Sequence, residues 1–348
     1  MIFRYFKKNN LELLMPADTR LVNSLSPNRD TFCEPKYCPD TNFYYANKSD
    51  DLPSWANLLI KEALLEDVGF GDITAQLIPK ENQVYAELIT REPMVICGIK
   101  ISIEVFARID SNISCDWLCS EGDFIPKNTC LLKLKGPARG ILTAERVALN
   151  FIQFLSGTAT VTREYVNIIK SVGSNTKLLD TRKTIPVFRQ AQKYAVRVGG
   201  GKNHRMGLYD SYLIKENHIE ACGGILSAIK YANTKKLESS KNHLIEVEVE
   251  NIAQVEEVLG AQDNKDYLVD VIMLDNFNIE MIQEAIGLRG VNKNNKNNKN
   301  NKNKVLFEVS GNIDLLVLKD IAKTGVDYIS VGAITKHVKA IDLSLRVL

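Results

Sequence analysis

Six short apolar runs constrain this chain more than any other feature: "KLLD", "YLIK", "LIEVEVE", "DVIMLD", "VLFEVS" and "DYISVG", all beyond residue 176. Each has the length of a strand, and helical periodicity fills most of the intervals. That is the rhythm of successive βα units in a parallel sheet or barrel. Each run also finishes in polar residues: Asp180-Thr181-Arg182-Lys183, Lys215-Glu216-Asn217-His218, Glu250-Asn251, Asp275-Asn276, Ser310-Gly311 and Gly332. In α/β barrels the loops after the strands converge on one mouth, and active sites lie there. The expectation is an α/β barrel over residues 158–333 with its catalytic face already marked.

The upstream half reads differently. Residues 1–50 are polar, rich in Asn, Asp, Pro and Tyr, and are expected to form a poorly structured extension. "SWANLLIKEALLEDVGFGD" predicts a helix with Leu58, Leu59, Ala63 and Leu64 on one face and Gly69 as its stop. The runs "VYAELITREPMVICGI" and "NTCLLKLKG" predict strands of a small α+β domain covering 51–157. "LTAERVALNFIQFLSG" predicts a helix capped by Thr143 and ended by Gly157, with Val147, Phe151, Phe154 and Leu155 inward. Seven cysteines at irregular spacing, among them Cys33-x4-Cys38 and Cys115-x3-Cys119, lack the partners a zinc site needs and read as free thiols. No apolar run approaches the ~18–20 residues of a membrane span. The start fits neither a secretory nor a transit pattern, so a soluble, cytoplasmic protein is expected.

Charge narrows the function. The formal net charge is +2, but five lysines sit in the low-complexity tract 292–304, and subtracting them from +2 leaves −3. A solvated insertion on the far face of the barrel accounts for the tract. The remainder is no polyanion binder, which excludes a nucleic-acid partner and makes any cationic cluster local. One such cluster surrounds "VGGGKNHRMG", Val198–Gly207. In "TIPVFRQAQKYAVRVGGG", Pro186 suits the first helical position, and Val187, Ala191, Tyr194, Ala195 and Val198 form an inward stripe. Arg189, Lys193 and Arg197, at i, i+4 and i+8, are expected to face solvent. Arg182 and Lys183 follow a strand end and Lys215 closes one. His204 and Arg205 follow three glycines, whose backbone N–H groups could approach an anion while arginine grips it bidentately. Arg146 is read as lying in the first turn of its helix, where the macrodipole disfavours a cation by about 0.3–1 kcal/mol, which suggests an anion elsewhere. Glu246, Glu248 and Glu250 alternate and so share one side of their strand, with Glu250 nearest the mouth and Asp275 ending the next strand. These carboxylates suit either Mg²⁺ bound with a substrate phosphate or ion pairs to Arg182 or Lys215. Ser310-Gly311 and Gly332 lie where many barrels bind phosphate.

"TAERVALNFIQFLSG", "LLDTRKTIPVFRQAQKYAVRVGGGKNHRMGLYDSYLIKENH", "EVEVEN", "IMLDNF", "FEVSGN" and "YISVGAIT" resemble the quinolinate phosphoribosyltransferase family from about residue 54 onward. The resemblance implies an open, incomplete barrel behind a small N-terminal α/β domain, with the last helix, 334–348, returning to that domain. It implies transfer of a phosphoribosyl group from phosphoribosyl pyrophosphate to quinolinate with decarboxylation, giving nicotinate mononucleotide for NAD biosynthesis. Carried over by matching positions, Arg146, Arg182, His204, Arg205 and Lys215 would contact quinolinate. Lys183, Glu250 and Asp275 would meet the donor and its Mg²⁺, and Ser310, Gly311 and Gly332 its 5′-phosphate. Lys183, Lys215, Glu250 and Asp275 are the implied catalytic set. A homodimer or homohexamer with Arg146 crossing the interface is also implied. Asn312 departs from the pattern, which has a second glycine there. A nicotinate-using transferase, a Schiff-base lyase using Lys215 and a non-catalytic phosphate-binding barrel are the competing readings.

Overall fold

The computed structural model describes residues 52–239, 243–292 and 305–348. The expectations for the 1–50 extension, for Cys33 and Cys38, and for all but the first residue of the Asn/Lys tract lie outside the described residues. Among those described, no helix is long and apolar enough to cross a membrane, and Cys97, Cys115, Cys119, Cys130 and Cys222 are free thiols.

Helix α1 (Ser54–Val68) ends at Gly69, whose φ of 53° suits a residue without a Cβ. Its buried residues are Trp55, Ala56 and Ile60, whereas Leu58, expected inward, is 59% exposed. Then come β1 (Gln83–Thr90), β2 (Met94–Val95), α2 (Ile99–Ile109), β3 (Ser114–Trp117), β4 (Phe124–Ile125) and β5 (Cys130–Pro137). The α+β reading holds, with α2 an element it did not anticipate.

Helix α3 (Ala138–Ser171) corrects the expectation most strongly. It runs 34 residues, about 50 Å at 1.5 Å per residue. Thr143 does not cap it; the Thr143 hydroxyl donates to Asp72 Oδ2 at 2.9 Å from within the helix. Gly157 does not end it. A Cβ there would overlap the Lys339 carbonyl, so this glycine lets the returning C-terminal segment cross the helix at contact distance. Arg146 therefore lies two turns in, beyond the reach of the helix dipole, and the first-turn argument for it fails. Phe154 is 39% exposed, not inward. The helix joins two cores: Ile141 to Ala159 pack with the small domain, and Tyr165, Val166 and Ile169 with the barrel.

The barrel contains β6 (Lys177–Leu179), α4 (Arg189–Val198), β7 (Ser211–Ile214), α5 (Glu216–Ala221), α6 (Ile225–Glu238), β8 (Leu244–Val249), α7 (Ile252–Gly260), β9 (Val271–Asp275), α8 (Ile279–Asn292), β10 (Leu306–Ser310), α9 (Leu315–Lys323) and β11 (Tyr328–Ser330). All six expected strands form, paired parallel in the order β6-β11-β10-β9-β8-β7. β6 and β7 are edges that do not pair with each other, so the barrel is open. Alternation decides what each face does. Ile245, Val247, Ile272, Leu274, Phe307 and Val309 pack on the surrounding helices. Their alternates Glu246, Glu248, Met273, Asp275, Glu308 and Ser310 take the opposite, interior face.

The chain closes with α10 (Ala333–Lys336) and β12 (Leu343–Val347). The return to the small domain is made by a strand, not by a helix over 334–348. β12 pairs antiparallel with β1 in a sheet of order β12-β1-β5-β3, and "LSLRV" alternates accordingly.

Candidate active site

The glycine run has a packing role. A Cβ at Gly199 would come within 2.6 Å of the Ala159 carbonyl oxygen and Thr162 Cβ on α3, and one at Gly201 within 2.8 Å of Val196 Cγ1. The amides of Gly199, Gly200 and Gly201 all donate to carbonyls of α4, at 2.9 Å each. They are spent, so they do not cradle an anion as expected. Their absence of bulk instead lets residues 201–205 lie along the free edge of β6, where Leu179 and Lys202 form a parallel bridge. That brings His204 and Arg205 to the end of the strand from which Arg182 departs.

The expected solvent face of α4 is wrong as well. Pro186 and Val187 precede the helix, Val187 is 85% exposed at φ 65°, and Phe188 is the cap. Lys193 is fully buried, paired with Asp180 and donating to the His204 carbonyl at 2.9 Å. Arg189 donates to Thr184 Oγ1, to the Met206 carbonyl and to the Arg182 carbonyl. Arg197 reaches Asn203 Oδ1 at 3.3 Å and lies over the Tyr194 ring. Ala191 and Ala195 pack into the small-domain core while Val196 packs into the barrel. A helix buried on two sides cannot be read from one stripe.

On this frame two guanidinium groups converge. Arg205 is 7% exposed, and burial, then the positive charge of Arg182, lowers its pKa from the ordinary arginine range. Both remain cations, since guanidinium does not deprotonate in proteins. Arg182 Nε is buried with no hydrogen-bond partner. Two cations held together, one with an orphaned donor, are a site for an anion that is itself bidentate or doubly charged.

Beneath them lies a cluster that sequence reading missed. His204 Nε2 sits 3.0 Å from Glu246 Oε2 and 3.6 Å from Glu308 Oε2, all three residues buried. Their geometry would admit a metal ion, but His204 Nδ1 accepts the Arg205 amide at 2.7 Å. That bond leaves the ring proton on Nε2, which faces the two carboxylates and offers no lone pair to a metal. Burial pushes the Glu246 carboxyl up to about 7. Burial, then the charge of Glu246, pushes Glu308 up to about 8. The same burial lowers the His204 pKa. The alternating "EVEVE" signalled the first carboxylate; nothing local signalled Glu308 as its partner.

At the mouth, Lys215 pairs with Glu248, whose carboxyl pKa burial raises despite that partner. The ion-pair alternative thus holds for Lys215, but through Glu248. Glu250 lies one residue past β8, exposed, in a pocket lined also by Glu216, Glu220, Glu248 and Gln254. Asp275 ends β9, and its Oδ2 accepts from Asn276 Nδ2 at 2.7 Å. Beside it Gly311 (φ 100°) leads into Asn312 (φ 45°). A Cβ at Gly311 would overlap the Asn276 side chain, while Asn312 Nδ2 reaches Asn276 Oδ1 at 3.4 Å. Asn312 thus holds the left-handed turn that a glycine would. Across the mouth the exposed Lys183 lies over Gly332, where a Cβ would stand 3.0 Å from Lys183 Cδ. Thr335 Oγ1 donates to the Lys183 carbonyl at 2.8 Å. Arg146 is exposed on α3.

Comparison with known proteins gives this arrangement a lineage. The N-terminal domain model of quinolinate phosphoribosyl transferase matches residues 72–156, and its C-terminal domain model matches 158–346. A probable nicotinate-nucleotide pyrophosphorylase (carboxylating) of Bacillus subtilis is 40% identical over 291 residues, 83% of this chain and 92% of the relative. The chloroplastic nicotinate-nucleotide pyrophosphorylase (carboxylating) of Arabidopsis thaliana is 36% identical over 83% of this chain and 82% of its own length. Among solved structures, the nicotinate-nucleotide pyrophosphorylase of Francisella tularensis superposes with a TM-score of 0.75 at 50% identity, covering 86% of this chain and 98% of that one. Two adjoining domain matches, relatives covered over most of their length and a shared open barrel lead to one conclusion: this chain belongs to the quinolinate phosphoribosyl transferase family.

Proposed function

We propose that the protein transfers the phosphoribosyl group of phosphoribosyl pyrophosphate to quinolinate and decarboxylates the product to nicotinate mononucleotide. The observation that carries this reading is the Arg182–Arg205 pair, in which a buried guanidinium stands beside a half-buried one whose shielded Nε has no partner. A ring with two adjacent carboxylates supplies two negative charges to two fixed cations, whereas nicotinate supplies one.

In this reading Arg182, His204, Arg205 and Lys215 hold quinolinate with its ring nitrogen toward the ribose C1′. Lys183 faces the donor, and the turns at Ser310-Gly311 and Gly332 receive its 5′-phosphate. Fixing both anions side by side removes the entropic part of the barrier. The open, carboxylate-lined end of the site, with Glu250 and Asp275 at strand ends, offers the hard oxygen ligands that Mg²⁺ takes alongside substrate phosphates. Bound there, Mg²⁺ would neutralise charge on the departing pyrophosphate. The pyridine nitrogen attacks C1′, the C1′–O bond to pyrophosphate breaks, and the ring becomes cationic. The C2–carboxylate bond then breaks, carbon dioxide leaves, and C2 takes a proton. The guanidinium groups of the buried Arg205 and half-buried Arg182 stabilise the electron pair at C2 while it exists, shielded from water enough for such charges to act strongly.

A homodimer or homohexamer belongs to the same proposal, with Arg146 completing a neighbour's site. Its exposure, and the exposed apolar side chains of Leu142 and Phe154 on the same helix, support it. The test is turnover: protein, Mg²⁺ and phosphoribosyl pyrophosphate with quinolinate or with nicotinate. Nicotinate mononucleotide and carbon dioxide from quinolinate alone are expected; mononucleotide from nicotinate would overturn the assignment.

A further inference from the structure

The buried pair of Lys193 and Asp180 is a feature of the fold that the proposed reaction does not use. Lys193 carries an ammonium group with no exposed surface. Its ammonium reaches Asp180 and the His204 carbonyl oxygen. Asp180 Oδ1 also accepts the His204 amide at 2.9 Å, and Oδ2 accepts Asn203 Nδ2 at 2.6 Å. Asn203 Nδ2 donates in addition to the Lys193 carbonyl at 2.9 Å. Three segments are thereby fastened at one point: the end of β6, the middle of α4, and residues 203–205.

Position gives the fastening its meaning. Asp180 precedes Arg182 by two residues, and His204 precedes Arg205 by one. Both backbone polar groups of His204 are bound by the pair, so the stem of each guanidinium is anchored within two residues of its Cα. Like charges repel, and the Arg182 charge adds to burial in lowering the Arg205 pKa. Without a rigid mount they would move apart until an anion recruited them. A buried ion pair is a costly way to gain stability, since an apolar pair of equal volume often does as well. It is a direct way to fix a backbone, because a charge-assisted bond holds its geometry tightly.

We infer that Lys193 and Asp180 are positioning residues that hold Arg182 and Arg205 at the separation a pyridine dicarboxylate requires. They do not touch the substrate. The inference rests on the reading of the cationic pair as the quinolinate site. Preorganisation of this kind makes dicarboxylate binding depend on the pair while leaving the open donor side alone.

The experiment compares wild type with Lys193→Met, with Lys193→Met combined with Asp180→Asn, and with Asn203→Ala. Each is assayed well below its own unfolding midpoint. The readouts are that midpoint, and KM for quinolinate and for phosphoribosyl pyrophosphate. For Lys193→Met the quinolinate KM rises about tenfold or more, the size expected from a misplacement near 1 Å, and the donor KM stays within twofold. The double variant recovers the unfolding midpoint but not the quinolinate KM, which a role in stability alone would not produce. If Lys193→Met does not accumulate folded, Asn203→Ala decides: it raises the quinolinate KM about threefold, as a milder loosening of the same mount. A quinolinate KM unchanged in the folded variants, or both KM values rising together, overturns the inference. Wild type that uses nicotinate instead of quinolinate defeats the proposed function, a result separable from any effect of these substitutions.

Discussion

The two ends of the site are built to different standards. At the proposed dicarboxylate end, Arg205, His204, Asp180, Lys193, Glu246 and Glu308 are all buried, with Lys193, Asp180 and the His204 backbone hydrogen-bonded together and Glu246 and Glu308 clustered at the His204 ring. At the proposed donor end, Lys183, Glu250 and Asn312 are exposed, and their partners are turns and single hydrogen bonds. Recognition of a small rigid dianion requires charges that are fixed and dry, because fixed charges in a low dielectric discriminate strongly. A long, flexible polyanion carrying a hydrated metal can be held by groups that stay in water. In the proposed reading, the contrast assigns specificity to the closed end, and turnover and exchange to the open one.

The largest expected effect breaks the closed end. Arg205→Ala removes a buried, hydrogen-bonded charge and raises the quinolinate KM about a hundredfold or more, in line with 2–5 kcal/mol for such groups. Donor KM stays within a few fold; steady-state kinetics with each substrate varied in turn checks both. Lys183→Ala makes the converse cut. Losing one charge-assisted contact of about 1.5 kcal/mol raises the donor KM about tenfold and spares quinolinate.

The next effect concerns protons held under the closed end. Glu246 and Glu308 keep protons in the folded chain up to pH values of about 7 and about 8, well above the ordinary glutamate value of 4.5. The folded state binds the extra protons, so their stabilisation is complete below about pH 4.5 and is lost as pH rises through 7 and 8. The unfolding midpoint should therefore fall between pH 5.5 and 8.5, by about 2–4 °C for each kcal/mol lost. Glu308→Gln, neutral at every pH, should flatten that slope. Differential scanning calorimetry across the range reads it.

How much of this contrast was legible in the sequence follows the same division. The six strands and their polar ends were readable because a parallel strand packed on helices must be apolar at every second position, and its exit must be polar. The open-end residues Lys183, Asp275, Gly311 and Gly332 are local to those exits. At the closed end Arg182, His204, Arg205 and Glu246 were legible, but what holds and surrounds them was not. Lys193 belongs to a helix with two buried sides, so its periodicity indicated a solvent face that does not exist. Gly157 and Gly199–Gly201 looked like stops or anion loops because a glycine's letter does not say whether conformation or close approach selects it. Glu308 acquires its meaning only from Glu246 and His204, which lie 62 and 104 positions earlier. The smallest expected effect lies at the one departure from the family pattern. Asn312→Gly should change donor KM by no more than about threefold, since Asn already holds φ at 45°.

The central claim is that paired cations, one buried and one half-buried, read two carboxylates. Calorimetric titration of the wild-type protein with quinolinate and, separately, with nicotinate measures it most directly. The account predicts that nicotinate binds at least about a hundredfold more weakly, because it leaves a buried guanidinium unpaired. Equal affinities for the two acids would contradict it.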